Sequence, residues 1–281
     1  MTEQETRCSD ALNKALDKCQ SSVGKAKEGS RLLTGTILDE LTGGLKRGDL
    51  TILLGKTAGK SCLARNLAMS ISSNEAEHVL FVPLQDASEE AAILRLAAIE
   101  GDVPLAVLDQ ERMSKSDRID VLDAIDGIRG HNLDIVLIDG LSLTPMLFER
   151  AMESFAEDLD AREVSVKVPK SRDDDVLPGS GAVIVDTMTL LADIDDPREG
   201  TKGLKSMAFS SGVSVVATIA GVEPDCLSDA GCVILVEAGE RDEERGTQEV
   251  VLTVVKDGTC AAMGRSVTGV LDLATLKLVE S

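Results

Sequence analysis

Seven residues, Gly55-Lys56-Thr57-Ala58-Gly59-Lys60-Ser61, combine the side chains that phosphate recognition needs in the order in which it needs them. Glycines let backbone N–H groups turn inward toward a polyphosphate, a lysine carries a mobile cation to its terminal groups, and a hydroxyl next to that lysine offers a hard oxygen to magnesium. Cys62 follows directly and completes the candidate nucleotide-binding stretch of residues 55–62. The usual spacing is G-x-x-x-x-G-K-[ST], whereas only Lys56, Thr57 and Ala58 separate Gly55 from Gly59. The loop is one residue short, and Leu54 is an alternative occupant of the first glycine's place. A second acid is needed beside the metal. Asp186 closes the apolar run Ala182-Val-Ile-Val, and Asp139 closes Asp134-Ile-Val-Leu-Ile; periodicity alone does not separate the two.

Such a loop works only between a strand and a helix, and the flanking residues supply both. Asp49 to Leu54 is a continuous apolar run of strand length, and from Lys60 to Ser72 the residues Leu63, Leu67 and Ile71 form one helical stripe. His78 to Leu84 reads as a second buried strand, Ser88 to Glu100 as a helix capped by Ser88, and Ser116 to Arg129 as another helix. Further apolar runs at 134–139, 182–186 and 213–219 alternate with helical stretches near 144–161 and 197–211. This alternation predicts a mostly parallel sheet covered by helices on both faces. The last third, at 233–236, 249–256 and 266–273, has strands joined without helices, which predicts an antiparallel extension of that sheet. Before it all, Ala11, Leu12, Ala15, Leu16 and Cys19 recur at helical spacing, and Gly24 and Gly29 then interrupt the pattern. The domain expectation is a helix and linker over 1–33 and a nucleotide-binding domain over 34–281.

Along residues 34–260 the chain resembles the C-terminal motor domain of DnaB-type replicative helicases. Thr34-Gly-Thr-Ile-Leu-Asp-Glu-Leu-Thr-Gly-Gly-Leu-Lys-Arg-Gly-Asp-Leu50 is similar to that family's T-G-x-x-x-L-D-x-L-T-G-G-L-x-x-G-D-L segment, lacking one residue. Phe81 to Ser88 lies where the family has F-S-L-E-M-S, Val183 to Leu191 resembles its V-V-D-Y-L-Q-L strand, and Gly203 to Ala208 resembles its L-K-x-L-A helix. The resemblance implies a RecA-like P-loop NTPase fold and ranks Asp186 above Asp139 as the magnesium partner alongside Ser61. It implies ATP and Mg2+ as ligands and a hexameric, ring-shaped assembly with itself or a related subunit. It further implies an ATPase role in DNA replication on single-stranded DNA, with residues 10–20 as a linker helix.

The chain departs from the family where catalysis is concerned. Gln85 stands where the resemblance places the catalytic glutamate, with Asp86 beside it, and an amide accepts no proton from water. The trans-acting K-x-R segment reads Val254-Val-Lys-Asp-Gly258, which keeps Lys256 as an interfacial cation and loses the arginine. Thr218-Ile-Ala-Gly-Val222 replaces the family's S-Q segment, and the loop before Asp229 is shorter than the DNA-contacting loop it corresponds to. The candidate catalytic set is therefore Gln85, Asp86 and Lys256, with weak or lost hydrolysis as the expectation. A non-hydrolysing paralogue with an assembly role, or a KaiC- or RadA-like ATPase, are the alternatives.

Bulk properties narrow the partners. The 281 residues carry 49 acids against 29 bases, a formal charge of −20, so any grip on nucleic acid must be local. The absence of Trp and Tyr removes most base-stacking platforms. The dense charge runs at 172–175 and 240–245 read as solvated loops. Six scattered cysteines with no C-x-x-C pair argue against structural zinc or a disulfide framework. No apolar run reaches the ~20 residues of a membrane span, and the start MTEQETRCSD has no signal-peptide pattern, so the expectation is a cytoplasmic protein without a membrane partner.

Overall fold

Five consecutive buried residues, Leu50–Leu54, form strand β3, and their alternation explains why the sheet must be covered twice. Leu53 packs into one apolar layer with Leu63, Leu67 and Phe81, while Leu50, Ile52 and Leu54 pack into another with Val215, Leu204 and Ala208. The computed structural model describes residues 31–56, 59–74, 77–86, 88–108, 113–135, 150, 154–155, 181–188, 196–222, 224–258 and 261–279. The expected helix at 10–20, Asp139 and the acidic run 172–175 lie outside them. One compact unit runs from Leu32 to Ser281.

Short strands β1 (Arg31–Leu32) and β2 (Leu45–Lys46) pair with each other around helix α1 (Ile37–Thr42). Helix α2 (Gly59–Ser72) follows β3, then β4 (His78–Val82), α3 (Glu89–Gly101), the short α4 (Leu105–Leu108), α5 (Lys115–Arg129) and β5 (Leu133–Ile135). Next come β6 (Gly181–Val185), α6 (Pro197–Ser211), β7 (Ser214–Ile219), a 3-10 turn at Pro224–Leu227, β8 (Cys232–Asp242), β9 (Thr247–Asp257), β10 (Ser266–Asp272) and β11 (Leu278–Val279). The main sheet has the order β11-β10-β9-β8-β3-β7-β6-β4-β5. Strands β8, β3, β7, β6, β4 and β5 are parallel, and β9 to β11 add on in antiparallel fashion. This is the RecA-like arrangement expected. Strand β8 itself pairs parallel with β3 over Thr51–Leu54, so the antiparallel extension begins at the β8–β9 pair.

Boundaries follow local chemistry. Helix α3 is capped by Ser88, whose hydroxyl accepts from Ala91 N, and α6 begins with Pro197 after the Asp196 cap. Helix α5 starts at Lys115 because Ser114 and Asp117 form a reciprocal capping box. Strand β4 is shorter than its apolar run implies. It stops at Val82 since Pro83 has no N–H for the ladder, and Leu84 N turns back to Val82 O. Conversely, β8 runs on into the charged segment, so Glu240 to Asp242 are the exposed end of a strand rather than a loop.

The segment 34–50 serves the fold. The Asp39 carboxylate accepts from Thr34 N, Thr34 Oγ1 and Gly35 N at 2.8–2.9 Å, closing the chain onto the start of α1. At Gly44, with φ of +97°, an added Cβ would lie 2.6 Å from Leu32 O, so only glycine fits the turn. Asp49 anchors the other end of β3. Its buried carboxylate accepts from Leu50 N at 2.8 Å, meets Lys46 Nζ at 3.0 Å and pairs with Lys205 Nζ of α6. Burial pushes the Asp49 carboxyl up, but the contacts from Lys205, Lys46 and Leu50 outweigh it and hold the group below its ordinary value of 3.8. The stabilisation is therefore complete above the ordinary carboxylate range and is lost as pH falls through the lowered value. Thermal melts of wild type and Asp49→Asn should differ by about 1–3 kcal/mol at neutral pH. The two curves should converge in acid; a constant gap from pH 7 to about 3 would show that the charge contributes nothing.

Candidate phosphate-binding site

Because β3, β7, β6 and β4 lie side by side and parallel, everything that follows their carboxyl ends is gathered on one edge. Gly55 leaves β3 with its N–H bonded to Ile219 O at 3.2 Å. A Cβ there would lie 2.4 Å from Val236 O and 3.4 Å from the Lys60 stem, so the first glycine is imposed by close approach of the next strand. Leu54 belongs to β3 and is buried in the core. Lys56 is exposed, and Thr57 and Ala58 lie outside the described residues. Gly59 opens α2, which puts Lys60 and Ser61 in a first turn where backbone N–H groups have no helical partner. Lys60 is buried. Burial lowers its ammonium pKa, and the nearby Asp186 charge works the other way. Cys62 is also buried, which raises its thiol pKa and keeps it an inert packing group.

The Ser61 hydroxyl is the meeting point of the site. Its oxygen lies 2.9 Å from Asp186 Oδ1 and 3.1 Å from Gln85 Oε1, and its single proton serves one of them at a time. Asp186 follows β6 and is fully buried; Thr218 Oγ1 of β7 donates to its Oδ1 at 2.7 Å. Gln85 is held by its own backbone, whose N–H donates to Asp186 O at 3.1 Å. Two side chains from distant parts of the sequence thus converge on one hydroxyl.

Asp86 is placed differently from its neighbour. Its carboxylate is buried, accepts from Arg65 Nη2 at 2.9 Å and pairs with Arg95 Nη1 through the same oxygen. That arrangement makes it a counter-ion of two guanidiniums. Lys256, on β9, donates to the carbonyls of Leu227 (3.3 Å), Ser228 and Ala230. The adjoining Gly231 N bonds Leu50 O, so this ammonium sits at the opening end of β3 while the phosphate-binding loop leaves its closing end. Burial lowers its pKa, with Asp229 and Asp49 acting in the opposite direction.

Three residues not anticipated as site members are brought in: Arg65, Arg95 and Thr218. Arg65 lies four residues after Ser61, on the same face of α2, and Thr218 sits next to the end of a strand adjacent to that of Asp186. Helical spacing from Ser61 would have located Arg65. Among the described residues no group of three or more His, Cys, Asp or Glu is placed to hold a metal, and no helix is long and apolar enough to cross a membrane.

The model of the DnaB-like helicase C terminal domain matches residues 33–219. Among solved structures the chain is similar to an isolated ATPase domain, at 19% identity over 96% of this chain and 98% of that one, with a TM-score of 0.67. It is also similar to a DnaB-like replicative helicase known with its interactions with primase, at 19% identity and TM-score 0.68. That match covers 95% of this chain and 66% of the helicase, so the chain spans just under two thirds of that protein's length. The KaiC-like protein PH0186 from Pyrococcus horikoshii OT3 is more distant, at 15% identity over 89% and 98% of the two chains and TM-score 0.55. No curated protein sequence matches. At such identities the structures share a fold, and it is the family model, covering well over half the chain, that fixes ancestry: the chain belongs to the DnaB-like helicase C terminal domain family and has its RecA-like P-loop ATPase architecture.

Proposed function

We propose that the chain binds ATP through residues 55–62 and uses it chiefly as an assembly ligand in a ring with copies of itself or a related subunit, with hydrolysis slow or absent. The observation that carries this reading is the convergence of Asp186 and Gln85 on the Ser61 hydroxyl. Lys60 is the side chain for the terminal phosphates, and the first turn of α2 provides the N–H groups. Magnesium fits the donor set, for Ser61 Oγ, Asp186 Oδ1 and Gln85 Oε1 are all hard oxygens that meet at one point. Ser61 and Asp186 would hold it, and when bound it would neutralise charge on the phosphates. Gln85 orients but takes no proton, and Lys256 is engaged by carbonyls of its own chain at the far end of β3. A general base contributes about 10²- to 10⁴-fold and an arginine finger about 10³- to 10⁵-fold, so binding outlasts turnover here. Nucleotide bound between subunits would then stabilise the ring by mass action.

The test is sedimentation of the full chain with and without magnesium-ATP, alongside steady-state hydrolysis in the presence and absence of single-stranded DNA. The expected result is larger assemblies with ATP and no DNA-stimulated release of phosphate. Turnover stimulated by DNA would replace this reading with that of a working motor.

A further inference from the structure

Two guanidiniums share one buried carboxylate beside the Ser61–Asp186 pair. Arg65 is buried on α2, one turn beyond Ser61, and its Nη2 lies 2.9 Å from Asp86 Oδ1 and 3.7 Å from Asp186 Oδ2. Arg95 pairs with the same oxygen of Asp86 from the solvent side. One carboxylate is thus matched by two guanidiniums, and one of them, Arg65, faces the Asp186 oxygen that accepts no hydrogen bond. Among the described residues, Lys60, Arg65 and Arg95 stand near Asp86 and Asp186.

Resting on the nucleotide-binding reading above and extending it, we infer that Arg65 supplies at Asp186 the positive charge that magnesium supplies in a conventional site, so that the triphosphate is held with little dependence on a divalent cation. The guanidinium suits the task because it stays charged when buried and presents several N–H donors in a fixed plane. Asp86 fixes its direction, and Asp86 is in turn kept from competing by Arg95. In this view Asp86 is a positioning residue. The ligand class is a nucleoside triphosphate or diphosphate, free or metal-bound, which the site accepts alike.

Equilibrium binding of a fluorescent ATP analogue to the full chain, measured with magnesium and again with excess EDTA, tests this directly. Chelation should raise the wild-type Kd by no more than about fivefold, and the Kd of Arg65→Gln by about 10- to 100-fold, the worth of a contact to a charged group. Arg65→Lys, which keeps the charge but not the planar donor set, should fall between them. A merely structural Arg65 would change melting temperature in these variants without changing the effect of EDTA, and that result overturns the inference. Loss of wild-type binding on chelation also overturns it while leaving nucleotide binding intact, and this comparison decides even where Arg65→Gln does not fold. No binding in either condition removes the binding reading and the inference together.

Discussion

Lys60→Ala should weaken ATP binding by at least about 100-fold while leaving the chain folded, the equivalent of losing one or two contacts to charged phosphate oxygens. The lysine follows Gly59 in the first turn of α2 and is buried against the edge where four strands end. Its burial lowers the ammonium pKa while the Asp186 charge works the other way, and phosphate oxygens would add counter-charge that favours the ammonium. Alanine suits a helix and leaves Asp186 beside Arg65, so the chain should stay folded without nucleotide. The stabilisation that saturating ATP gives the wild type should vanish in the variant. Calorimetric titration and thermal shift with nucleotide check both halves. Unaltered affinity in a folded Lys60→Ala chain would place the nucleotide elsewhere.

How far the sequence carried this picture depends on which distances were involved. The strand, turn and helix from Asp49 to Ser72 were legible because apolar runs and stripes are local. So was the parallel character of the core, since helices intervene between its strands. The order β3-β7-β6-β4 was not legible, for no periodicity says that the strand after α6 slots between β3 and β6. Hence the choice between Asp186 and Asp139 rested on resemblance, and Thr218 as a donor to Asp186 went unnoticed. Side-chain commitments were hidden for the same reason. Asp86 sits next to Gln85 in sequence, yet its partners Arg65 and Arg95 lie on two different helices, and Lys256 is occupied by carbonyls 26 to 29 residues upstream. Conversely, Thr34, Asp39 and Gly44, residues of the most recognisable segment, turn out to close the chain at the two ends of α1. A family's most recognisable residues can be those that hold its fold rather than those that do its chemistry.

Gln85→Glu should raise the hydrolysis rate by about 10²-fold, the lower end of what a positioned base contributes. The exchange is isosteric, and the backbone bond from Gln85 N to Asp186 O fixes where the new carboxylate lies, about 3 Å from the Ser61 hydroxyl. There it faces the charge of Asp186, which favours protonation, and the charges of Lys60 and Arg65, which oppose it. The gain should consequently grow as pH rises through the range in which that carboxyl ionises, while the wild-type rate stays flat across it. The lower end is expected because Lys256 is engaged by carbonyls of its own chain, so the further factor of about 10³ to 10⁵ from an interfacial cation is not counted. The added negative charge also offsets the charge of Arg65 near Asp186, which should make nucleotide binding by this variant more dependent on magnesium than that of the wild type. A gain in rate accompanied by that new magnesium dependence ties both properties to position 85. A variant that binds ATP as before and gains no rate would show that the limit lies outside position 85, in the arginine missing from the Val254–Gly258 segment or in the geometry of the short phosphate-binding loop.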